Sequence, residues 1–139
     1  MITQGETAPD FTLPRDGGGN LTLSALRPGK VVLYFYPKDD TPGCTLEAQD
    51  FTARAADFAT TGAKVIGISR DSIKSHDRFC KKHGLGITLV SDEAGHTCED
   101  YGVWLEKSMY GKTYMGIERT TVLIDGTGKV ARVWNKVSV

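Results

Sequence analysis

Apolar positions along this chain fall into three patterns, and each predicts a different element. Short alternating segments at Phe11 to Leu13 and Leu21 to Leu23 flank the turn-forming cluster Asp16-Gly17-Gly18-Gly19-Asn20, which predicts an N-terminal β-hairpin. Unbroken apolar runs rich in β-branched and aromatic residues mark strands buried on both faces. Val31 to Tyr36 is such a run, stopped by Pro37, and Lys64 to Ser69 and Leu85 to Val90 are two more. Ala48, Phe51, Ala55 and Phe58 recur at spacings of 3, 4 and 3, the period of a helix with one apolar face. Thr41 stands where a cap belongs, Pro42 suits the first helical position, and Gly62 ends the segment.

Further along, Asp71 is expected to cap a helix running through about His83, and Asp92 to Tyr101 to form a short one. Residues 106–117, rich in Gly, Lys and Tyr, read as a loop. Thr120 to Ile124 and Val130 to Trp134 flank Asp125-Gly126-Thr127-Gly128, a second hairpin signal. Strands alternating with helices and a closing hairpin predict an α/β fold in which helices flank one mixed central sheet.

At 139 residues the chain is expected to form a single domain, 1–139. Lys plus Arg and Asp plus Glu both number 17, so the formal charge is zero, which argues against nucleic acid or an anionic membrane as partner. The longest apolar run, Val31 to Tyr36, is about a third of a membrane span. The opening MITQGETAPD has neither a basic segment nor an apolar core, so no signal peptide and a cytoplasmic location are expected.

Three cysteines, Cys44, Cys80 and Cys98, without CxxC spacing do not make a disulfide framework. In a reducing compartment each is a packing residue, a metal ligand or a reactive thiol. His76, Cys80 and His83 fall at i, i+4 and i+7, with His96 and Cys98 nearby in sequence, but a clustered four-ligand pattern is missing. Neither a metal nor another cofactor is expected. Gly111-Lys112-Thr113 lacks the glycine of a phosphate-binding loop, because Glu106 stands in its place. Glu47 likewise occupies the position where a thioredoxin-type pair would need its second cysteine.

Cys44 falls third in the helix that Thr41 and Pro42 begin, where backbone N–H groups lack acceptors and the positive end of the helix dipole favours a thiolate. Ionisation alone gives little rate. Bringing a thiol from about 8.5 to about 6 raises its thiolate fraction at pH 7 roughly 30-fold. The accompanying loss of nucleophilicity, with a Brønsted slope of about 0.4–0.5, removes roughly 10-fold to 18-fold of that. Large acceleration requires an aligned electrophile and charge stabilisation at its leaving atom. Thr41 can supply a hydroxyl, and a distant arginine the charge.

The segment Tyr34 to Phe51, YFYPKDDTPGCTLEAQDF, resembles the active-site segment of the peroxiredoxins, in their bacterioferritin-comigratory or Q branch, with Pro37, Thr41 and Cys44 on its Pro-x-x-x-Thr-x-x-Cys pattern. Ala8-Pro9-Asp10-Phe11, Ser91-Asp92, Tyr101-Gly102-Val103-Trp104 and Gly116-Ile117-Glu118-Arg119-Thr120-Thr121 extend the match over residues 5 to about 134. The resemblance implies a thioredoxin-like fold and a thiol peroxidase acting on hydrogen peroxide and organic hydroperoxides. It implies Cys44 as peroxidatic nucleophile, Thr41 as hydrogen-bond partner of the peroxide, Pro37 as a shield of the sulfur from water, and Arg119 as the group that stabilises the thiolate and orients the peroxide.

The sulfenic acid left on Cys44 would need a second thiol. Many members of this branch carry one five residues on, where this chain has Gln49. A second pattern places it on the next helix, and Cys80 lies 80 − 44 = 36 residues on in a matching context. The resemblance therefore implies Cys80 as the resolving thiol, with a thioredoxin or glutaredoxin returning the resulting disulfide to thiols. Cys98 is expected to be a semi-buried spectator. A disulfide requires Cα atoms within about 7 Å, so the first turn after Thr41 and part of helix 71–83 are expected to unwind in each cycle. The protein is expected to act as a monomer. Family members continue into a C-terminal helix where this chain stops at Val139, so exposed apolar surface is expected near that end. A different class of function, a thiol-containing holdase module on the same fold, is the alternative, and loss of peroxide consumption in Cys44→Ser discriminates against it.

Overall fold

Leu13 and Leu21 face one another across an antiparallel hairpin of β1 (Thr12–Pro14) and β2 (Asn20–Thr22), and both are buried. Its turn carries Gly17, Gly18 and Gly19 at positive φ, a conformation that side chains strongly disfavour. The computed structural model describes residues 1–139. After this hairpin come β3 (Lys30–Phe35), α1 (Pro42–Thr60), β4 (Ala63–Ser69), α2 (Ile73–His83) and β5 (Thr88–Ser91). They are followed by α3 (Thr97–Asp100), β6 (Trp104–Met109), β7 (Lys112–Ile117), β8 (Thr120–Ile124) and β9 (Val130–Trp134).

The central sheet has the order β5-β4-β3-β8-β9. β3, β4 and β5 run parallel, while β8 and β9 are antiparallel to their neighbours. This is the mixed sheet of the expected thioredoxin-like α/β fold. Because β3 is apolar on both faces, it supplies two cores. Val31, Leu33 and Phe35 join Ile66, Ile68, Val122 and Ile124 on the face covered by the N-terminal hairpin and residues 98–103. Val32, Tyr34 and Tyr36 point to the other face, where Cys44 and Ala48 of α1 and Phe79 of α2 close over them. Gly67 belongs to this second face, and a Cβ there would come within 2.7 Å of the Tyr34 ring. A side chain at that position would collide with the ring, which stacks on Phe51 at 4.6 Å between centroids. An apolar groove of about 290 Å³ between α1 and the β8–β9 pair is lined by Val32, Phe51, Phe58, Leu123 and Trp134.

Four sequence expectations need correction. Residues 106–117 are not a loop: β6 and β7 pair from Trp104↔Ile117 to Met109↔Lys112 in a largely exposed hairpin. α2 is capped by Ser72, whose hydroxyl accepts from the Ser75 amide, because the Asp71 carboxylate is taken by the Asp39 amide and the Ser69 hydroxyl. The strand expected at Leu85 to Val90 starts only at Thr88. The helix expected from Asp92 begins at Thr97, although Asp92 does serve it, accepting from the amides of Thr97 and Cys98 at 3.0 and 2.8 Å.

Candidate active site

Parallel strands leave their carboxyl ends at one edge of a sheet, where loops leading into helices gather functional groups. β3 ends there and leads through residues 36–41 into α1, which brings Cys44 into its first turn. The β3–β8 register pairs Phe35 with Thr120, so Arg119, one residue before β8, arrives beside the same end of β3. Two segments 75 residues apart thus meet: an Arg119 Nη donates to Cys44 Sγ at 3.1 Å, and the other Nη donates to Glu47 Oε1 at 2.6 Å. Cys44 and Glu47 are both buried, and they lie three residues apart on the inner side of α1.

The electrostatics follow from this geometry. Burial pushes the Glu47 carboxyl above its ordinary range, even though the Arg119 charge and hydrogen bond pull it down. Burial works against the Arg119 charge, but Cys44 and then Glu47 more than offset it, so the guanidinium is held above its usual value. The planar fork of arginine suits this arrangement, with one N–H directed at sulfur and another at a carboxylate. Glu47 is the site residue that sequence reasoning missed; its position one helical turn beyond Cys44 was the available signal.

Thr41 occupies the cap position but makes no cap hydrogen bond, which departs from the expectation. Its hydroxyl instead donates to the Lys38 carbonyl at 2.9 Å, so its lone pairs remain open to a donor. Pro37 is exposed and lines a cleft of about 350 Å³ together with Lys38, Arg70, Trp104, Tyr114 and Ile117. Gln49 is exposed on α1.

Cys80 lies half-buried on α2 at the edge of the core that holds Cys44. Its Sγ is 3.7 Å from Asp16 Oδ2. Burial first, then Asp16, push its thiol up to about 12. Cys98 is fully buried rather than semi-buried, in the core on the opposite face of the sheet, and burial reinforced by Asp92 pushes its thiol well up. All three cysteines are free. Of the residues sequence reasoning singled out, the structure joins Cys44 directly to Arg119, sets Thr41 one turn before the sulfur, and keeps Cys80 on a separate helix.

The ligand-type atoms of Asp39, Asp71 and His76 approach within 4.8 Å of one another. Their polar atoms are already engaged with Tyr36, Ser69, Ser75, the Val90 carbonyl and one another, so these residues read as a hydrogen-bonded network. His83 is engaged with Asp40 at 2.8 Å. No helix is long and apolar enough to cross a membrane.

Residues 4–133 match the model of the AhpC/TSA family. The chain is 51% identical over 138 residues to a putative peroxiredoxin bcp of Coxiella burnetii, covering 99% of this chain and 91% of that protein. It is 46% identical over 138 residues to peroxiredoxin Bcp of Bacillus subtilis, covering 99% and 88%. Among solved structures, Xanthomonas campestris peroxiredoxin Q superposes with a TM-score of 0.88 at 49% identity, covering 93% of this chain and 82% of that one. A Cys-to-Ser variant of Xylella fastidiosa PrxQ superposes with a TM-score of 0.94 at 40% identity, covering 100% and 89%.

Proposed function

The chain belongs to the AhpC/TSA family and is a peroxiredoxin, a thiol-dependent peroxidase, and from that premise we propose which residues carry each step. The observation that carries the reading is the Arg119 guanidinium 3.1 Å from Cys44 Sγ, braced on its far side by Glu47. A hydroperoxide approaches the sulfur with its O–H donated to the open lone pair of Thr41, and Arg119 steadies both the thiolate and the peroxide oxygens. The Cys44 thiolate attacks the terminal oxygen; the S–O bond forms, the O–O bond breaks, and the leaving oxygen departs with a proton as water or an alcohol. Arg119 meets the negative charge that grows on that leaving oxygen, the kind of contribution that exceeds what ionisation alone supplies. Pro37, in the loop that leads into α1, has the role of limiting the water that reaches the sulfur.

The Cys80 thiol then attacks the sulfenic sulfur: the S–S bond forms, the S–O bond breaks, and the leaving hydroxide takes the proton that Cys80 gives up and departs as water. Support for this partner comes from solved Cys-to-Ser variants of the Xanthomonas campestris protein at two cysteines 36 positions apart, the separation of Cys44 and Cys80 here. Alkyl peroxide reduction is described for a bacterioferritin comigratory protein of the same species, which supports organic hydroperoxides as substrates. A thioredoxin-type dithiol returns the disulfide to thiols by exchange. The reading places the protein in the cytoplasm, acting as a monomer without a bound cofactor.

Non-reducing peptide mapping tests the assignment. Pre-reduced protein given one equivalent of hydrogen peroxide for a few seconds, then quenched with an alkylating agent, is expected to yield a Cys44–Cys80 linked peptide. Cys44→Ser is expected to lose peroxide consumption to background. A wild-type protein sulfenylated at Cys44 but unlinked refutes Cys80 as partner, and three free thiols refute the site as a whole.

A further inference from the structure

Between the loop that enters α1 and the helix that carries Cys80 lies a buried polar network to which the peroxide chemistry assigns no role. Asp39 is buried and accepts from Tyr36 Oη at 2.6 Å, from Ser75 Oγ at 2.8 Å and from His76 Nδ1 at 2.7 Å. The other ring nitrogen of His76, Nε2, lies 2.9 Å from the Val90 carbonyl oxygen. A carboxylate and a carbonyl both accept only, so satisfying both contacts requires a proton on each ring nitrogen. His76 is fully buried, and with both protons it forms a desolvated ion pair with Asp39 that spans from the α1 entry loop to α2.

Removing one member of such a pair leaves the other as an uncompensated buried charge, which is far more costly than loosening a surface bridge. The second link between the same segments is of the weaker kind. Asp40, held at φ +58°, bonds Lys82 at 2.7 Å and His83 at 2.8 Å, and it is exposed. Solvent screens that bridge. The inner pair is therefore the stronger of the two polar links between this loop and α2, and it acts beside the packing of Phe79 in the core.

We propose that the His76–Asp39 ion pair is the pin that holds α2, and with it Cys80, in its docked position, and that loss of the His76 proton frees the helix. The inference rests on the assignment of Cys80 as resolving thiol only for its catalytic meaning; the pin itself is a property of the reduced protein. Groups facing His76 are Tyr36 from the end of β3, Asp39 from the α1 entry loop, Asp71 from the turn after β4 and the Val90 carbonyl from β5. On α2 itself Ser75 shares the Asp39 carboxylate, and Arg78 and Lys82 border the cleft that Asp39 and Asp40 line.

Burial disfavours the charged ring, but the hydrogen bond and charge of Asp39 more than offset this and hold His76 above its ordinary value. A histidine raised in the folded state contributes stability that is complete below its unfolded value of about 6.5 and is lost as pH climbs through the folded value. The docked helix is thus favoured at neutral and acid pH and loosened on the alkaline side.

Amide exchange of the fully reduced full-length protein tests this, with protection of α2 corrected for intrinsic exchange and referenced to β3. In the wild type, α2 protection is expected to fall by up to about tenfold per pH unit above about 6.5 and to level off above the folded value of His76. His76→Gln is expected to start less protected and to show no such step. Asp39→Asn is expected to move the step to lower pH, and it serves if His76→Gln fails to fold. Imidazole nitrogen shifts of His76 at pH 7 are expected to be those of a doubly protonated ring. A neutral ring, a flat wild-type profile, or the same step in His76→Gln overturns the pin. If peptide mapping finds no Cys44–Cys80 link while α2 protection follows His76, the pin stands and the resolving assignment falls; a link with a flat profile removes the pin alone.

Discussion

Cys44 and Cys80 border one core from two helices, yet their surroundings carry opposite charge. Cys44 has the Arg119 guanidinium at 3.1 Å, whereas Cys80 has the Asp16 carboxylate at 3.7 Å, with Asp39 and Asp77 adding to the same field. The folded state thereby separates the two thiols by reactivity as well as by position. Burial and the Asp16 carboxylate push the docked Cys80 thiol up to about 12, which disfavours its thiolate at neutral pH. Exposure to water returns a thiol toward about 8.5 and so favours its thiolate. In the proposed cycle, release of α2 would do two things at once: bring Cys80 within reach of Cys44 and make its thiolate easier to form.

Removing the cation on the Cys44 side gives the largest effect expected here. Arg119→Met should lower the second-order rate of peroxide consumption by about 10²–10³, measured by stopped flow, with Arg119→Lys intermediate because it keeps charge but not the fork. A loss below threefold would show that the guanidinium near the sulfur plays no part in the step. On the Cys80 side, Asp16→Asn keeps an oxygen for the Leu89 amide while removing the charge beside the thiol. Alkylation of Cys80 in the reduced native protein should quicken by about threefold to tenfold, with the peroxide rate at Cys44 unchanged. Equal alkylation in both proteins would mean that burial alone sets the contrast. The smallest effect on turnover belongs to the third cysteine. Cys98→Ala should leave both rates unaltered and cost on the order of 1 kcal/mol in a denaturation curve, because that side chain only fills the opposite core. A change in peroxide rate would break the claim that the two faces of the sheet act separately.

The contrast between the two thiols also shows what local sequence pattern carries and what it leaves out. The strands at 31–36 and 64–69 and helix α1 were legible because buried elements must show their period. β6 and β7 were not, because most of their residues are exposed on both faces and no period of two is enforced. Ser72 and Asp71 are equally good caps by composition; the choice falls to Ser72 only because Asp39, 32 residues away, engages Asp71. Glu47 and His76 are ordinary helical polar residues in one dimension. Their partners, Arg119 and Asp39, stand 72 and 37 residues away and meet them only in the folded chain. Resemblance pointed to Cys44, Thr41 and Arg119 as candidates, but the Thr41 hydroxyl's bond to Lys38 rather than to the helix end was not legible.

That the two thiols belong to different helices has a consequence for chain topology. A bond between Cys44 and Cys80 closes a ring of about 36 residues (80 − 44 = 36) that contains most of α1, all of β4 and the first part of α2. Closing a ring of this size removes entropy from the unfolded ensemble worth about 4 kcal/mol at 25 °C. On the proposed pairing, the oxidised protein would give up helical packing to form the bond, while the same bond would make the fully unfolded chain a less accessible destination. Local melting around the ring would thereby be offset against global unfolding, with the five-stranded sheet as the frame on which both helices could re-form when the bond is cut.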